Sequence, residues 1–131
     1  MVFSGCASRR SVTAEDFTAA CESAGFAVED ITANYDASAM SSAMFYSDDG
    51  HVMAYYNFAK ASEAKSQYAQ LFSSLSQGTS DEKYIDSAEY NRFYATAAGS
   101  VALLYRNGTT LIYVVGTEDD AIMQVIENLG V

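Results

Sequence analysis

The side chains that could carry enzyme chemistry are few, because the chain has one histidine and two cysteines beside 17 acidic residues. A Ser–His–acid or Cys–His unit would have to use His51. That residue follows Asp48-Asp49-Gly50, a turn sequence that predicts a solvated ring. One histidine and two distant cysteines cannot supply the usual ligands of zinc. We therefore predict no catalytic residue, no metal and no cofactor.

The acidic residues give the chain a net charge of −10 at neutral pH. This excess argues against nucleic acid as a partner, because phosphate binding needs clustered Lys and Arg. It also argues against direct adsorption to an anionic membrane. Neither Asp48-Asp49 nor Glu118-Asp119-Asp120 has the ligand spacing of a calcium-binding EF-hand. A hydrolase that uses two carboxylates in a cleft stays open as an alternative, although no pair is marked out among the acids.

The stretch that points to a cellular location is Phe3-Ser4-Gly5-Cys6. Small residues between an apolar residue and a cysteine suit a bacterial signal peptidase that cuts before a cysteine destined for lipid. Such a signal also needs a basic segment and an apolar segment of about 7–15 residues, which codons upstream of Met1 would have to encode. We predict lipid attachment at Cys6, residues 1–12 as signal remnant and tether, and residues 13–131 as one domain. The alternative is a soluble domain in which the motif is fortuitous.

The second cysteine belongs to a helical pattern. Cys21 follows Phe17 by four residues, so both fall on one apolar face and a buried, unreactive thiol is expected. A Cys6–Cys21 disulfide is an open possibility, which lipid on the Cys6 sulfur would exclude.

Three helices are predicted to position these residues, each from a Ser or Thr start followed by apolar residues three or four apart. The first begins at Thr13 and stops at Gly25, the second begins at Ser62, and the third begins at Thr117 and ends at Gly130. Their apolar stripes are Phe17, Ala20, Cys21 and Ala24; Ala64, Tyr68, Leu71, Phe72 and Leu75; and Ile122, Val125, Ile126 and Leu129.

Two hairpins are predicted from the dipeptides Asp49-Gly50 and Asn107-Gly108, which suit type I′ turns. The strands that they join are 43–48 with 51–58, and 101–106 with 109–115. Further predictions are a strand at 90–97, a weaker strand at 27–35 and a polar connection at 77–86. The fold class is then α+β, in the order α-β-β-β-α-β-β-β-α. We expect two layers: an antiparallel sheet of about five or six strands with three helices packed mainly on one face.

Alternation along the hairpin strands divides their residues between two faces. The inward set is predicted to be Ala43, Phe45, Val52, Ala54, Tyr56 and Phe58 in the first hairpin, and Val101, Leu103, Tyr105, Thr110, Ile112 and Val114 in the second. The opposite face would be free of helices and rich in Tyr and Met, which offer broad and adaptable contact area. We predict there a ligand or partner surface made of Met44, Tyr46, Met53, Tyr55, Arg92, Tyr94, Arg106 and Tyr113.

Four segments carry a resemblance to a known class of proteins. They are Phe3-Ser4-Gly5-Cys6; a Thr-capped helix ending Glu22-Ser23-Ala24-Gly25-Phe26 with Val28-Glu29-Asp30-Ile31 after it; the hairpin and helix at 55–75; and the closing strand and helix at 110–129. Together they resemble small uncharacterised lipoproteins of Gram-positive bacteria. The resemblance covers most of the length. It implies an envelope location and a non-catalytic module, and it carries over no site residues.

The function expected from these features is binding. We expect a lipid-anchored or secreted domain at the outer face of the cytoplasmic membrane, which binds a protein or small ligand through the Tyr/Met sheet face. Its contact with the membrane would run through lipid on Cys6 alone. A soluble protein-interaction domain and a carboxylate hydrolase are the alternatives.

Overall fold

The computed structural model describes residues 12–75, 81–86 and 90–131. Within these ranges the chain has an α+β fold with three helices and a seven-stranded antiparallel sheet. The helices are α1 (Ala14–Glu22), α2 (Ala61–Leu75) and α3 (Asp120–Leu129). The strands are β1 (Glu29–Asp30), β2 (Met40–Ser47), β3 (His51–Phe58), β4 (Asp81–Asp86), β5 (Tyr90–Ala97), β6 (Ser100–Asn107) and β7 (Thr110–Thr117). The predicted class is confirmed.

Two stretches differ from the prediction in their secondary structure. The weak strand expected at 27–35 is reduced to β1 and a short 3-10 helix, Thr32–Asn34. Part of the expected polar connection at 77–86 is β4, which pairs with β5 from Asp81 opposite Thr96 to Asp86 opposite Asn91. The charged residues of this segment suit the edge of a sheet, because natural proteins place charges on edge strands to block pairing with other chains.

The first and third helices begin where side chains accept hydrogen bonds from open backbone N–H groups, whereas α2 begins at Ala61, one residue before the predicted start at Ser62. Thr13 caps α1 as predicted, and its hydroxyl accepts from the Asp16 amide at 3.1 Å. The cap of α3 is Asp119 rather than Thr117, because Thr117 is the last residue of β7 and Asp119 accepts from the Ile122 amide at 2.9 Å. Among the described residues, no helix is long and apolar enough to cross a bilayer.

The first hairpin has the predicted register. Phe45 lies opposite Ala54 and Tyr46 opposite Met53, and the Asp48 amide donates to the His51 carbonyl. The turn is not type I′, since neither Asp49 nor Gly50 has a positive φ. Instead, the Asp48 carboxylate accepts from the Gly50 amide at 2.8 Å, which is an Asx turn.

The second hairpin turns one residue later than predicted. Asn107 pairs with Thr110, so the loop is Gly108-Thr109 with Gly108 at φ 61°. This change moves every cross-strand partner by two places, so that Tyr105 lies opposite Ile112 instead of Thr110. Side chains alternate with a period of two, and the inward and outward sets therefore survive the shift.

Both faces of the sheet are covered. The sheet order is β1-β2-β3-β7-β6-β5-β4. One face packs against α1 and α3 around a core that includes Met53, Leu103 and Ile112, and the other packs against α2 around Phe93, Leu104 and Leu111. Two of the three helices thus share a face as expected, while α2 adds a third layer that the two-layer expectation did not include.

Candidate functional site

The predicted Tyr/Met surface does not exist as one open face. Six of its residues lie on the face covered by α1 and α3, namely Met44, Tyr46, Met53, Tyr55, Arg92 and Tyr94, whereas Arg106 and Tyr113 lie on the face covered by α2. Met53 is 0% exposed and Tyr55 2%. The ring of Tyr55 packs 5.6 Å from that of Phe17 on α1. The prediction of an uncovered face is therefore wrong.

The error lies in how the two hairpins are joined. Pairing of β3 with β7 sets Tyr55 opposite Ile112 and Ala54 opposite Tyr113. The set predicted as inward in the first hairpin therefore shares a face with the set predicted as outward in the second. Within each hairpin, the residues were assigned correctly to two opposite faces. The error was to place the inward faces of the two hairpins on the same side of the sheet.

The two predicted arginines make structural contacts. Arg106 is 1% exposed, and its guanidinium donates to the Asn91 side chain at 2.7 Å and to the Gly108 carbonyl at 3.0 Å. Arg92 donates to the Val131 carbonyl at 3.1 Å and lies 5.7 Å from the centre of the Tyr94 ring. Arg106 is thus inaccessible to a ligand, while Arg92 and Tyr94 remain half-buried.

Of the two cysteines, the structure describes Cys21 and not Cys6. The predicted lipid-attachment residue, Cys6, lies outside the described residues. Cys21 is fully buried in the core between α1 and the sheet. Burial raises the pKa of its thiol to about 12, with a smaller contribution from the charge of Glu22. A thiol in this state is a poor nucleophile, as the sequence pattern predicted.

His51 is the centre of a polar cluster that the sequence did not reveal. Its Nδ1 lies 3.0 Å from a carboxylate oxygen of Asp48, and its Nε2 lies 2.8 Å from one of Asp119. The Tyr46 hydroxyl donates to the other oxygen of Asp48, and the ring of Phe26 packs 5.1 Å from the rings of both His51 and Tyr46. The side chain of His51 is only 15% exposed, so the prediction of a solvated turn residue is wrong.

The cluster favours a charged imidazolium between two ionised carboxylates. Burial by itself lowers the pKa of His51, but the hydrogen bonds and charges of Asp119 and Asp48 outweigh it and the pKa is raised. Hydrogen bonds from Tyr46, the Gly50 amide and His51 hold the pKa of Asp48 at about 2. The pKa of Asp119 is lowered by the Ile122 amide and then by His51. In the protonated form both ring nitrogens donate, so the imidazolium has no lone pair with which to act as a base.

A depression between α1 and β1 holds three carboxylates, those of Glu15, Glu22 and Asp30. Asp30 accepts from the amide and hydroxyl of Thr32 at 2.9 and 2.6 Å, and these bonds lower its pKa. A general acid needs the opposite shift. Within residues 12–75, 81–86 and 90–131, no group of three or more His, Cys, Asp or Glu is placed to hold a metal ion. The depression does not favour the hydrolase alternative.

The candidate binding site is an aromatic groove on the α2 side of the sheet, with a volume of about 210 Å³. It lies between the loop after the 3-10 helix, the strands β2, β3 and β7, and α2. Seven described residues line it: Tyr35, Met40, Tyr56, Phe58, Gln67, Leu71 and Tyr113. We call this site the aromatic groove. Of the eight residues predicted for a contact surface, it includes Tyr113.

The rings of the aromatic groove meet at a corner. Tyr35 stands nearly perpendicular to Tyr56, at 79° with 6.2 Å between ring centres, and Phe58 lies 6.0 Å from Tyr56 on the same strand. Tyr35 is 38% exposed, which is unusual for a large apolar side chain in this molecule. Burial raises the pKa of Tyr56 to about 12, with contributions from Tyr35 and Tyr113, so the phenol stays neutral at physiological pH.

Backbone hydrogen bonds fix the segments that carry these rings. The Tyr35 amide donates to the Thr32 carbonyl, and the Ala59 amide donates to the Ala39 carbonyl. The Thr32 hydroxyl accepts from the Ala43 amide at 3.0 Å, which ties the 3-10 helix to β2. These bonds hold the Tyr35 segment and the ends of β2 and β3 together beside the groove.

Comparison with known proteins gives little further guidance. No family model matches the chain, and no curated protein matches it. Among solved structures, the chain is similar to a GTP-binding regulator from Thermotoga maritima at 13% identity and a TM-score of 0.49, over 89% of this chain and 84% of that one. The geometry of the chain's own residues has to support any proposal about its function.

Proposed function

We propose that the protein is a non-catalytic binding module whose ligand occupies the aromatic groove, and that lipid on Cys6 holds it at the outer face of a bacterial membrane. The observation that carries the proposal is the corner formed by Tyr35 and Tyr56, which stays open beside α2. Aromatic walls with a few polar groups are typical of ligand sites.

The size of the aromatic groove limits what it can bind. Sites for drug-sized molecules have volumes of about 300–1,000 Å³, and this groove has about 210 Å³. A ligand would therefore be small, or would place only one head group in the groove. The polar atoms available to orient it are the phenol hydroxyls and the amide of Gln67.

The position of Cys6 fits a short tether. Val12 is 1% exposed and its carbonyl accepts from the Tyr55 hydroxyl, so the packed part of the chain includes a residue six positions after Cys6. Six extended residues span at most about 20 Å. Lipid at Cys6 would hold the domain close to the bilayer, whereas the net charge of −10 would keep it from adsorbing to anionic lipid.

The groove is tested by a fragment screen read by saturation-transfer NMR on the full chain. We expect small aromatic or alkyl compounds to bind, and Tyr35→Ala to abolish their signals. Because Tyr35 is exposed, its truncation should leave the melting temperature close to that of the wild type. Tyr94→Ala is the matched control: it removes a half-buried tyrosine from the other face of the sheet and should preserve binding. Absence of hits, or hits that persist in Tyr35→Ala, would contradict the groove.

The tether is tested by metabolic labelling with an alkyne fatty acid, with the protein expressed from its own gene in its own host. We expect the label on the wild type and on Cys21→Ala, and none on Cys6→Ala. Cys21→Ala is the control because it removes the other cysteine of the chain. An unlabelled wild type would favour the soluble interaction domain instead.

A further inference from the structure

Charge is missing from the lining of the aromatic groove. Four of the seven described lining residues are aromatic, and none of the seven carries a formal charge. The face of an aromatic ring is electronegative, and it attracts a cation that approaches within about 6 Å of the ring centre. The Tyr35 and Tyr56 rings meet edge to face at 79°, and a cation placed in the corner beside this contact would lie near both rings.

The surroundings favour a cation over an anion. The chain has a net charge of −10, and a field of that sign concentrates cations near the surface. Asp36, the neighbour of Tyr35, accepts from the amide and hydroxyl of Ser38 at 3.1 and 3.0 Å, which lowers its pKa and keeps it ionised at neutral pH. Lys60, two residues after Phe58, is exposed and is not among the lining residues.

The uncharged lining also decides which kind of cation fits. A primary ammonium has three N–H donors to satisfy when it loses hydration, and the described lining offers the Gln67 amide and the phenol oxygens but no carboxylate. An alkylated ammonium has methyl groups that pack against Met40, Leu71 and the rings, and it spreads its charge over those methyls.

We propose that the aromatic groove binds the alkylated ammonium head group of a cationic ligand. This proposal rests on the proposed function, because it names the chemical class of the ligand that the groove takes. Tyr35 and Tyr56 hold the charge in the corner beside their edge-to-face contact, and Met40 and Leu71 contact the alkyl groups. A volume of about 210 Å³ accommodates such a head group, with the rest of the ligand outside.

The test compares choline with 3,3-dimethylbutan-1-ol, a neutral molecule of the same shape in which carbon replaces the charged nitrogen. Both are titrated into the full chain, with the ring signals of labelled tyrosine followed by NMR. We expect choline to bind about 2-fold to 30-fold more tightly, the range that cation–π attraction gives. Raised ionic strength should weaken choline binding and leave the alcohol unchanged.

Two substitutions separate the ring face from simple apolar contact. Tyr35→Leu keeps an apolar side chain without a π system, and it should remove the preference for choline. Tyr35→Phe keeps the ring and should preserve that preference. Equal affinity of the two probes, or a preference that survives in Tyr35→Leu, would overturn the cation proposal while leaving a ligand site in place.

If neither probe binds and the fragment screen gives groove hits, the ligand class is wrong and the binding function stands; if the screen also fails, both are wrong.

Discussion

At the scale of single residues, His51 shows how a side chain that looks ordinary in sequence can be fixed by a distant partner. The sequence shows its neighbour Asp48 and the turn. It does not show Asp119, 68 residues away, which the fold brings to 2.8 Å from Nε2. His51 lies between the Phe26 ring and two carboxylates, and it therefore links the first hairpin to the start of α3.

The His51 cluster predicts a window of pH in which it stabilises the fold. The pKa of His51 is raised in the folded state. Its contribution to the unfolding free energy is therefore complete below about pH 6.5, the ordinary pKa of histidine, and it is lost as the pH rises through the raised pKa of the folded protein. The pKa values of Asp48 and Asp119 are lowered in the folded state. The stability that these two carboxylates contribute is therefore present above about pH 4, the ordinary pKa of aspartate, and is lost in acid. The difference in unfolding free energy between wild type and His51→Gln should therefore be largest between about pH 4 and 6.5 and should shrink towards pH 8, as measured by urea denaturation.

The same cluster predicts which carboxylate sets the titration of His51. Asp119→Asn removes a charge but keeps a side chain that can cap α3, so it should lower the pKa of His51 without unfolding the helix. The measurement is an NMR titration of the imidazole signals, which are unambiguous because the chain has one histidine. Asp120→Asn removes the same charge one residue later and should leave the titration nearly unchanged. Equal pKa values in the wild type and Asp119→Asn would show that Asp119 and His51 are not coupled.

At the scale of elements, local patterns predicted what local contacts decide. The apolar stripes placed all three helices, and a cap at Thr13 followed from the sequence. The Asp49-Gly50 turn gave the register of β2 and β3. The register between β3 and β7 could not be predicted in the same way, because these neighbours are separated by α2 and three strands. That one missing relation moved Met53 and Tyr55 from the expected surface into the core.

One glycine carries information on the register between β3 and β7. Gly116 lies opposite His51, and a Cβ added to it would stand 2.3 Å from the Gly50 carbonyl oxygen and 2.9 Å from the His51 Cα. A glycine inside a strand often marks such a close approach of two backbones. The sequence contains this signal in Val114-Val115-Gly116, but the identity of the approaching segment depends on the fold.

Gly116→Ala should therefore be more destabilising than an ordinary glycine substitution. Its methyl group meets backbone atoms that cannot move aside, and we expect a loss of about 2–3 kcal/mol, as in overpacked cores. Gly99→Ala is the comparison: its φ is 84° but nothing lies within 4 Å of an added Cβ, so it should cost about 1 kcal/mol from backbone strain alone. Urea denaturation of both variants measures the difference. Similar losses would show that the β3–β7 contact tolerates a side chain.

At the scale of the whole molecule, the aromatic groove is a product of tertiary packing. Its walls come from Tyr35, from the β2–β3 hairpin, from β7 and from α2, which no short stretch of sequence brings together. Tyr56 and Phe58 were predicted to be inward, and they are on an inward face, but one that α2 covers incompletely. Tyr113 is the one residue of the predicted contact surface that lines the groove. A signal for the rest would have been the excess of apolar residues in both alternating sets of each hairpin, which indicates a sheet covered on both faces.

The two cores share their strands, and this predicts a single unfolding transition. Leu103 and Leu104 are consecutive, both are 0% exposed, and they point into the α1–α3 core and the α2 core respectively. Leu103→Ala and Leu104→Ala should each lower the unfolding free energy by about 2–5 kcal/mol, with an unchanged urea m-value and coincident curves by circular dichroism and tyrosine fluorescence. A second transition in Leu104→Ala alone would mean that α2 can leave the sheet while the other core persists. The aromatic groove, which has Gln67 and Leu71 of α2 in its wall, would then exist only in part of the population, and ligand affinity would fall with it.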